Sequence, residues 1–150
     1  MKTVLIIDDE EKLRALLGRI IGSEGYEVIE AGEGKTGIKQ LEQHDIDAVL
    51  CDVKLPDCSG VELVKKIKST APLTEVILLT AYGNITDGVQ AMKNGAFDYI
   101  VKGDDNEKII PLLQRAVEKV QLHKRLSELE KQVGEKFSFD AITGKSNTMG

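Results

Sequence analysis

Three aspartates, a threonine and a lysine carry the chemistry available to this chain. Asp8 and Asp9 follow the run Thr3–Ile7, Asp52 follows Ala48–Cys51, Thr80 follows Val76–Leu79, and Lys102 follows Tyr99–Val101. Each therefore sits at the carboxyl end of a short apolar stretch. If those stretches are parallel strands of one open sheet, all five residues meet at the edge where ligands bind in such sheets. Adjacent carboxylates repel unless a cation lies between them: at close contact two charges cost about 4 kcal/mol at an effective dielectric of 20. Oxygen-only ligands favour Mg²⁺, which keeps several waters and takes a phosphate as co-ligand. A carboxylate such as Asp52 can also attack phosphorus and form an aspartyl phosphate. Thr80 could then donate a hydrogen bond to the added oxygens and Lys102 could neutralise them.

The elements that must position these groups alternate five times. After the first strand, residues 10–24 place Leu13, Leu16, Leu17, Ile20 and Ile21 at helical spacing, with Gly25 as a stop. Glu27–Ala31 reads as a strand and Gly34–His44 as a helix burying Ile38 and Leu41. Ala48–Cys51 is a short buried strand, followed by a loop with Pro56 and Gly60 and a helix over Val61–Thr70 with Val61, Leu63, Val64 and Ile67 inward. Val76–Leu79, a helix over Ile85–Asn94 and the strand Phe97–Val101 complete the alternation. Short connections imply right-handed crossovers and a sheet covered on both faces. The expected fold is α/β: a doubly wound, five-stranded parallel sheet in the flavodoxin-like order 2-1-3-4-5 with an extended C-terminal helix.

That last helix starts near Asn106 and meets no breaker before Gly134 except Pro111, placed in the first turn. Ile109, Leu112, Leu113, Ala116 and Val120 face the domain. Leu122, Leu126, Leu129 and Val133, spaced 4, 3, 4, form a coiled-coil seam that nothing in the chain is left to cover, so a partner helix is expected. The expected organisation is a domain over residues 1–121, a helical linker over 122–134, and over 135–150 a linker with the truncated opening of a further domain.

Bulk composition narrows the class. The 150 residues are 41% hydrophobic and 30% charged, as in a soluble globular domain. A net charge of −5 argues against a grip on nucleic acid or an anionic membrane. No apolar run approaches the ~20 residues that span a bilayer, and the N-terminal run is too short for a signal peptide. Cys51 and Cys58 suggest no disulfide framework and point to a reducing cytoplasm, and with His44 and His123 they make a poor zinc site.

Other readings compete for the same residues. Asp9 precedes a helix and could merely cap it. Gly32-Glu33-Gly34-Lys35-Thr36-Gly37 matches the dinucleotide pattern G-x-G-x-x-G, and Asp52 lies 20 positions after Gly32. That reading leaves Asp8, Asp9, Thr80 and Lys102 without a role. Two P-loop lookalikes fail because Ile29 and Phe139 stand where glycines are needed.

The segments Val4–Glu10, Cys51–Gly60, Leu79–Tyr82 and Gly95–Lys102 together resemble the receiver domain of bacterial two-component response regulators, over residues 1 to about 121. The resemblance implies that Asp52 accepts a phosphoryl group from a sensor histidine kinase, and that Asp8, Asp9, Asp52 and the backbone carbonyl of Lys54 hold Mg²⁺. It implies that Thr80 and Lys102 contact the phosphoryl group and that Tyr99 is the aromatic switch residue. The chain departs from the family where Lys102-Gly103 replaces the usual Lys-Pro. Ala91–Tyr99, the long last helix and Phe139–Ser146 are similar to sigma-54-dependent transcriptional activators, in which a helical linker leads into an AAA+ ATPase. On that likeness the chain is a cytoplasmic regulatory fragment and not an enzyme. It would dimerise through the last helix and the fourth-helix and fifth-strand face, without binding nucleic acid or membrane itself. Two alternatives stay open: a stand-alone docking module, and an aspartyl-phosphate phosphatase, which would need an acid where Lys54 stands.

Overall fold

The computed structural model describes residues 2–80, 85–101 and 106–137, with the side chains of all of these except residues 85, 106 and 132–137. Five strands and five helices alternate: β1 (Thr3–Ile7), α1 (Glu11–Ser23), β2 (Glu27–Ala31), α2 (Gly34–Gln43), β3 (Ala48–Asp52), α3 (Gly60–Thr70), β4 (Glu75–Thr80), α4 (Ile85–Lys93), β5 (Asp98–Val101) and α5 (Asn106–Phe137). The sheet order is β2-β1-β3-β4-β5 and every pairing is parallel, as expected from the alternation.

Burial follows from that order. The three inner strands, β1, β3 and β4, are buried at every position, whereas β2 and β5 at the edges are partly open. Successive strand side chains point to opposite faces, so each inner strand feeds two cores. Leu5, Ile7, Val49, Cys51, Val76 and Leu78 pack with residues of α2, α3 and α4. Val4, Ile6, Ala48, Leu50, Ile77 and Leu79 pack with α1 and α5.

The helical stripes hold with local corrections. Ile38, Leu41, Val61, Leu63, Val64, Ile67, Ile109, Leu112, Leu113, Ala116 and Val120 are buried. In α1 only Leu17 and Ile21 are buried, and Leu16 is exposed, because its position at the edge of the stripe turns it from the sheet. Gly25 ends α1 with a φ of 92°, a conformation that favours glycine. Pro111 lies in the second turn of α5, not the first, where its missing N–H forfeits one helical bond close to the helix start. Nor does Gly134 stop α5, which continues to Phe137; one glycine costs a helix only about 1 kcal/mol.

The amino edge of the sheet is held by buried polar contacts. The Glu75 carboxylate, 5% exposed, pairs with Lys119 at 3.1 Å and Lys68 at 3.5 Å. Lys119 also lies over the Phe97 ring. The Asp47 carboxylate accepts the Thr3 N–H and the Thr74 hydroxyl donates to the Ile46 carbonyl.

Two compact units divide the chain, Met1–Val120 and Gln121–Gly150. In the second, Leu122, Leu126 and Leu129 of α5 are 56%, 46% and 49% exposed. The Val133 side chain and residues 138–150, which carry the expected start of a further domain, lie outside the described residues. Among the described residues no helix is long and apolar enough to cross a membrane.

Candidate functional site

Parallel register brings the polar residues to one edge. Ile7 pairs with Cys51, so Asp8 and Asp52 leave neighbouring strands at the same level. Asp52 pairs with Leu79, so Thr80 stands one step beyond it on β4. Carboxylate oxygens of Asp8, Asp9 and Asp52 all lie within 4.8 Å of one another. Asp8 and Asp52 are buried and Asp9 is exposed. Thr80 pairs with Val101, which places the tip of β5 beside Thr80. Lys102 and Gly103, which follow it, and Ala81 and Tyr82 after Thr80 lie outside the described residues.

Each described group has a local reason for its position. The Asp8 carboxylate accepts the Glu10 N–H at 2.9 Å, turning the chain into α1. The Asp8 N–H donates to the Ala31 carbonyl, and Arg14 donates to the Asp8 carbonyl at 2.7 Å while pairing with Glu30. Asp9 does not cap the helix: the residue preceding α1 is Glu10, with no side-chain cap bond. Asp52 accepts a long bond, 3.4 Å, from the Lys54 N–H. Behind Asp52, α3 begins at Gly60, where a β-carbon would collide with the Asp52 carbonyl. Among the described residues the Thr80 hydroxyl, 1% exposed, donates a 3.5 Å bond to the Ile100 carbonyl, so a stronger acceptor could capture it. Tyr99, half-buried on β5, faces α4 across from Gly88.

Oxygen donors alone, two of them buried, fit a hard divalent cation. Asp8, Asp9 and Asp52 would hold Mg²⁺ by that chemistry. The thiols do not compete. Burial and then the Asp52 charge push the Cys51 thiol well above its usual range, and burial and Asp57 raise Cys58; both are free.

The glycine-rich segment before α2 has another occupant. Both carboxylate oxygens of Asp57, in the loop after Asp52, accept N–H bonds at 2.9 Å, one from Gly34 and one from Lys35. Those bonds hold the Asp57 carboxyl below its ordinary value. The helix start that a pyrophosphate would use is thus filled by the chain's own carboxylate. A β-carbon at Gly34 would collide with the Cys58 sulfur and one at Gly37 with Ile7. The G-x-G-x-x-G match reflects close packing. Sequence reading missed the bonding role of Asp57, whose partners are 22 and 23 residues away, and no local signal could have revealed it.

The profile of the response regulator receiver domain matches residues 4–132. The regulatory protein AtoC of Escherichia coli (strain K12) is 30% identical over 146 residues, 97% of this chain and 32% of its own. The transcriptional regulatory protein ZraR of Escherichia coli O157:H7 is 31% identical over 146 residues, again 97% of this chain and 32% of its own. The chain therefore spans about a third of the length of the curated relatives it matches. Among solved structures, the beryllofluoride-activated NtrC4 receiver domain dimer superposes with a TM-score of 0.75 at 31% identity, covering 80% of this chain and 99% of that one.

Proposed function

Because this chain belongs to the response regulator receiver family, we propose that Asp52 accepts a phosphoryl group from a sensor histidine kinase in a Mg²⁺-dependent reaction. One observation carries the assignment: three carboxylates converge within 4.8 Å, and Thr80 stands one step beyond Asp52. In the transfer, an Asp52 oxygen attacks phosphorus, the bond to the phosphohistidine nitrogen breaks, and its electron pair stays on the imidazole. Asp8, Asp9, Asp52 and the Lys54 carbonyl would hold the ion, which would supply positive charge against the acids and the phosphoryl oxygens. The chain itself orients the acceptor, and Lys102 contacts the phosphoryl group. It is a phosphoacceptor and not a phosphatase, since Lys54 stands where a phosphatase places its acid.

Phosphorylation adds roughly −1.5 to −2 charge. Shifting a two-state equilibrium from 1:99 to 99:1 takes about 5.5 kcal/mol. Thr80 and Lys102 on the phosphoryl oxygens supply charge-assisted bonds of about 1.5–3 kcal/mol each, the right order. Tyr99 reports that capture to the α4 and β5 face, changing a dimer formed through that face and α5. Residues 1–121 form the receiver, 122–134 the helical linker, and 135–150 lead into an AAA+ module of a cytoplasmic sigma-54-dependent activator; the fragment does not itself bind nucleic acid. The dimeric NtrC4 receiver and the name of ZraR support this reading. A stand-alone docking module is the second reading, and Phe139–Ser146 argue against it.

The test is mass spectrometry after incubation with a small phosphodonor. One labile adduct should form with Mg²⁺ present and vanish in Asp52→Asn. Label elsewhere, or label formed equally without the ion, would reject the assignment.

A further inference from the structure

Helix α4 is nine residues long and carries Gly88 in its first half, a residue that weakens a helix. Gly88 is buried and its φ calls for no glycine. Its neighbour supplies the reason. A β-carbon at position 88 would come within 2.9 Å of three atoms of the Tyr99 ring, Cδ1, Cε1 and Cζ, closer than carbon atoms pack. The Tyr99 backbone is held by β5 pairing with Leu78 and by its own N–H bond to the Asp98 carboxylate at 2.8 Å. A group placed at position 88 therefore has to move the ring or the helix. Leu78, opposite Tyr99, and Thr80, two residues on, share one face of β4, and Leu78 belongs to the core that packs on α4.

We propose that Gly88 is a positioning residue for Tyr99: the missing side chain forms the seat on which the ring rests against α4, and the size of that seat sets how readily the ring leaves it. The inference rests on the reading of Tyr99 as the switch residue and names the feature that controls it. An alanine at position 88 fills the seat, so the ring is displaced before any phosphoryl group arrives. Gly22 in α1, where an added β-carbon would meet nothing within 4 Å, serves as a control for the same substitution.

The test uses the full chain labelled with 3-fluorotyrosine, read by fluorine NMR with and without Mg²⁺ and beryllofluoride. The Tyr99 line is the one lost in Tyr99→Phe. In Gly88→Ala this line should shift in the untreated protein, and its further movement on adding beryllofluoride should fall to less than half of the wild-type change. Gly22→Ala should leave both unchanged. A Tyr99 line in Gly88→Ala that coincides with wild type in both states overturns the proposal. If the wild-type line ignores beryllofluoride while Gly88→Ala still shifts it, the seat stands and the switch reading of Tyr99 fails. Thermal melts supply a second arm if Gly88→Ala folds poorly. The substitution should lower the midpoint when Tyr99 is present and raise it in a Tyr99→Ala background, where only the gain in helix propensity remains. Equal effects in both backgrounds overturn the proposal.

Discussion

Replacing Leu126 and Leu129 by glutamate should turn a dimer of this chain into a monomer without affecting phosphorylation of Asp52. Leu122, Leu126 and Leu129 are each about half exposed, at 56%, 46% and 49%. Full burial of a leucine is worth roughly 1.5–3 kcal/mol, so covering the remaining half gives about 0.7–1.5 each. Two chains present six such leucines, roughly 4–9 kcal/mol in all. Association itself costs about 4–15 kcal/mol, so the seam alone is near break-even and a stable dimer needs the domain face as well. The double substitution removes four of the six leucines, roughly 3–6 kcal/mol, which weakens the dimerisation constant by about 10²–10⁴ at 1.4 kcal/mol per factor of ten. Sedimentation equilibrium over a range of concentrations reads this directly, and a truncation after Gln121 should behave the same way. A dimerisation constant within about threefold of wild type would refute the reasoning on burial. A truncated chain that stays dimeric would place the dimer on the domain face alone.

Asp9→Asn should weaken Mg²⁺ binding roughly tenfold, measured by calorimetric titration, because one charge leaves the cluster. Without metal the same change relieves repulsion screened to about 1 kcal/mol by solvent, so the melting midpoint should rise by about 2–4 °C in chelator. Thr80→Val keeps the buried volume and removes a hydroxyl whose bond is 3.5 Å long, so stability should change by less than about 1 kcal/mol in urea. Its phosphorylated form should fail to shift the Tyr99 fluorine line. Asp57 is held below the ordinary aspartate value of 3.8 by the Gly34 and Lys35 N–H groups. Its stabilising contribution is therefore complete above 3.8 and is lost as pH falls through its lower folded value. The amide resonances of Gly34 and Lys35 should shift together below that pH in wild type and lose this titration in Asp57→Asn.

Much of this fold is legible because the signals are local. The alternation of apolar runs with 3.6-residue stripes contains the five strands and five helices to within a residue or two, apart from the end of α5. Asp8, Asp9, Asp52 and Thr80 come to one edge because β1, β3 and β4 are parallel neighbours and a polar residue ends or directly follows each. What escaped is nonlocal. Whether Leu16 is covered depends on the width of the sheet beneath α1, not on the stripe that contains it. Asp57 resembles any loop aspartate until α2 is placed against it. Gly88 is an ordinary weak spot in a helix until the Tyr99 ring lies on it. The reach of α5 beyond Gly134 has a different cause: a single glycine is a cost to a helix and not a stop.

Gly34, Gly37 and Gly60 have a consequence for reading genetic data on this chain. A β-carbon at these positions would strike Cys58, Ile7 and the Asp52 carbonyl in turn. A saturation screen scored on signalling output will find all three as intolerant as Asp52, although none offers a group to a ligand. A heat map drawn from such a screen would outline the places where backbone meets its neighbours as clearly as it outlines chemistry. Abundance separates the two classes. Alleles at the glycines should deplete the protein in the cell, whereas Asp52→Asn should accumulate normally and stay silent.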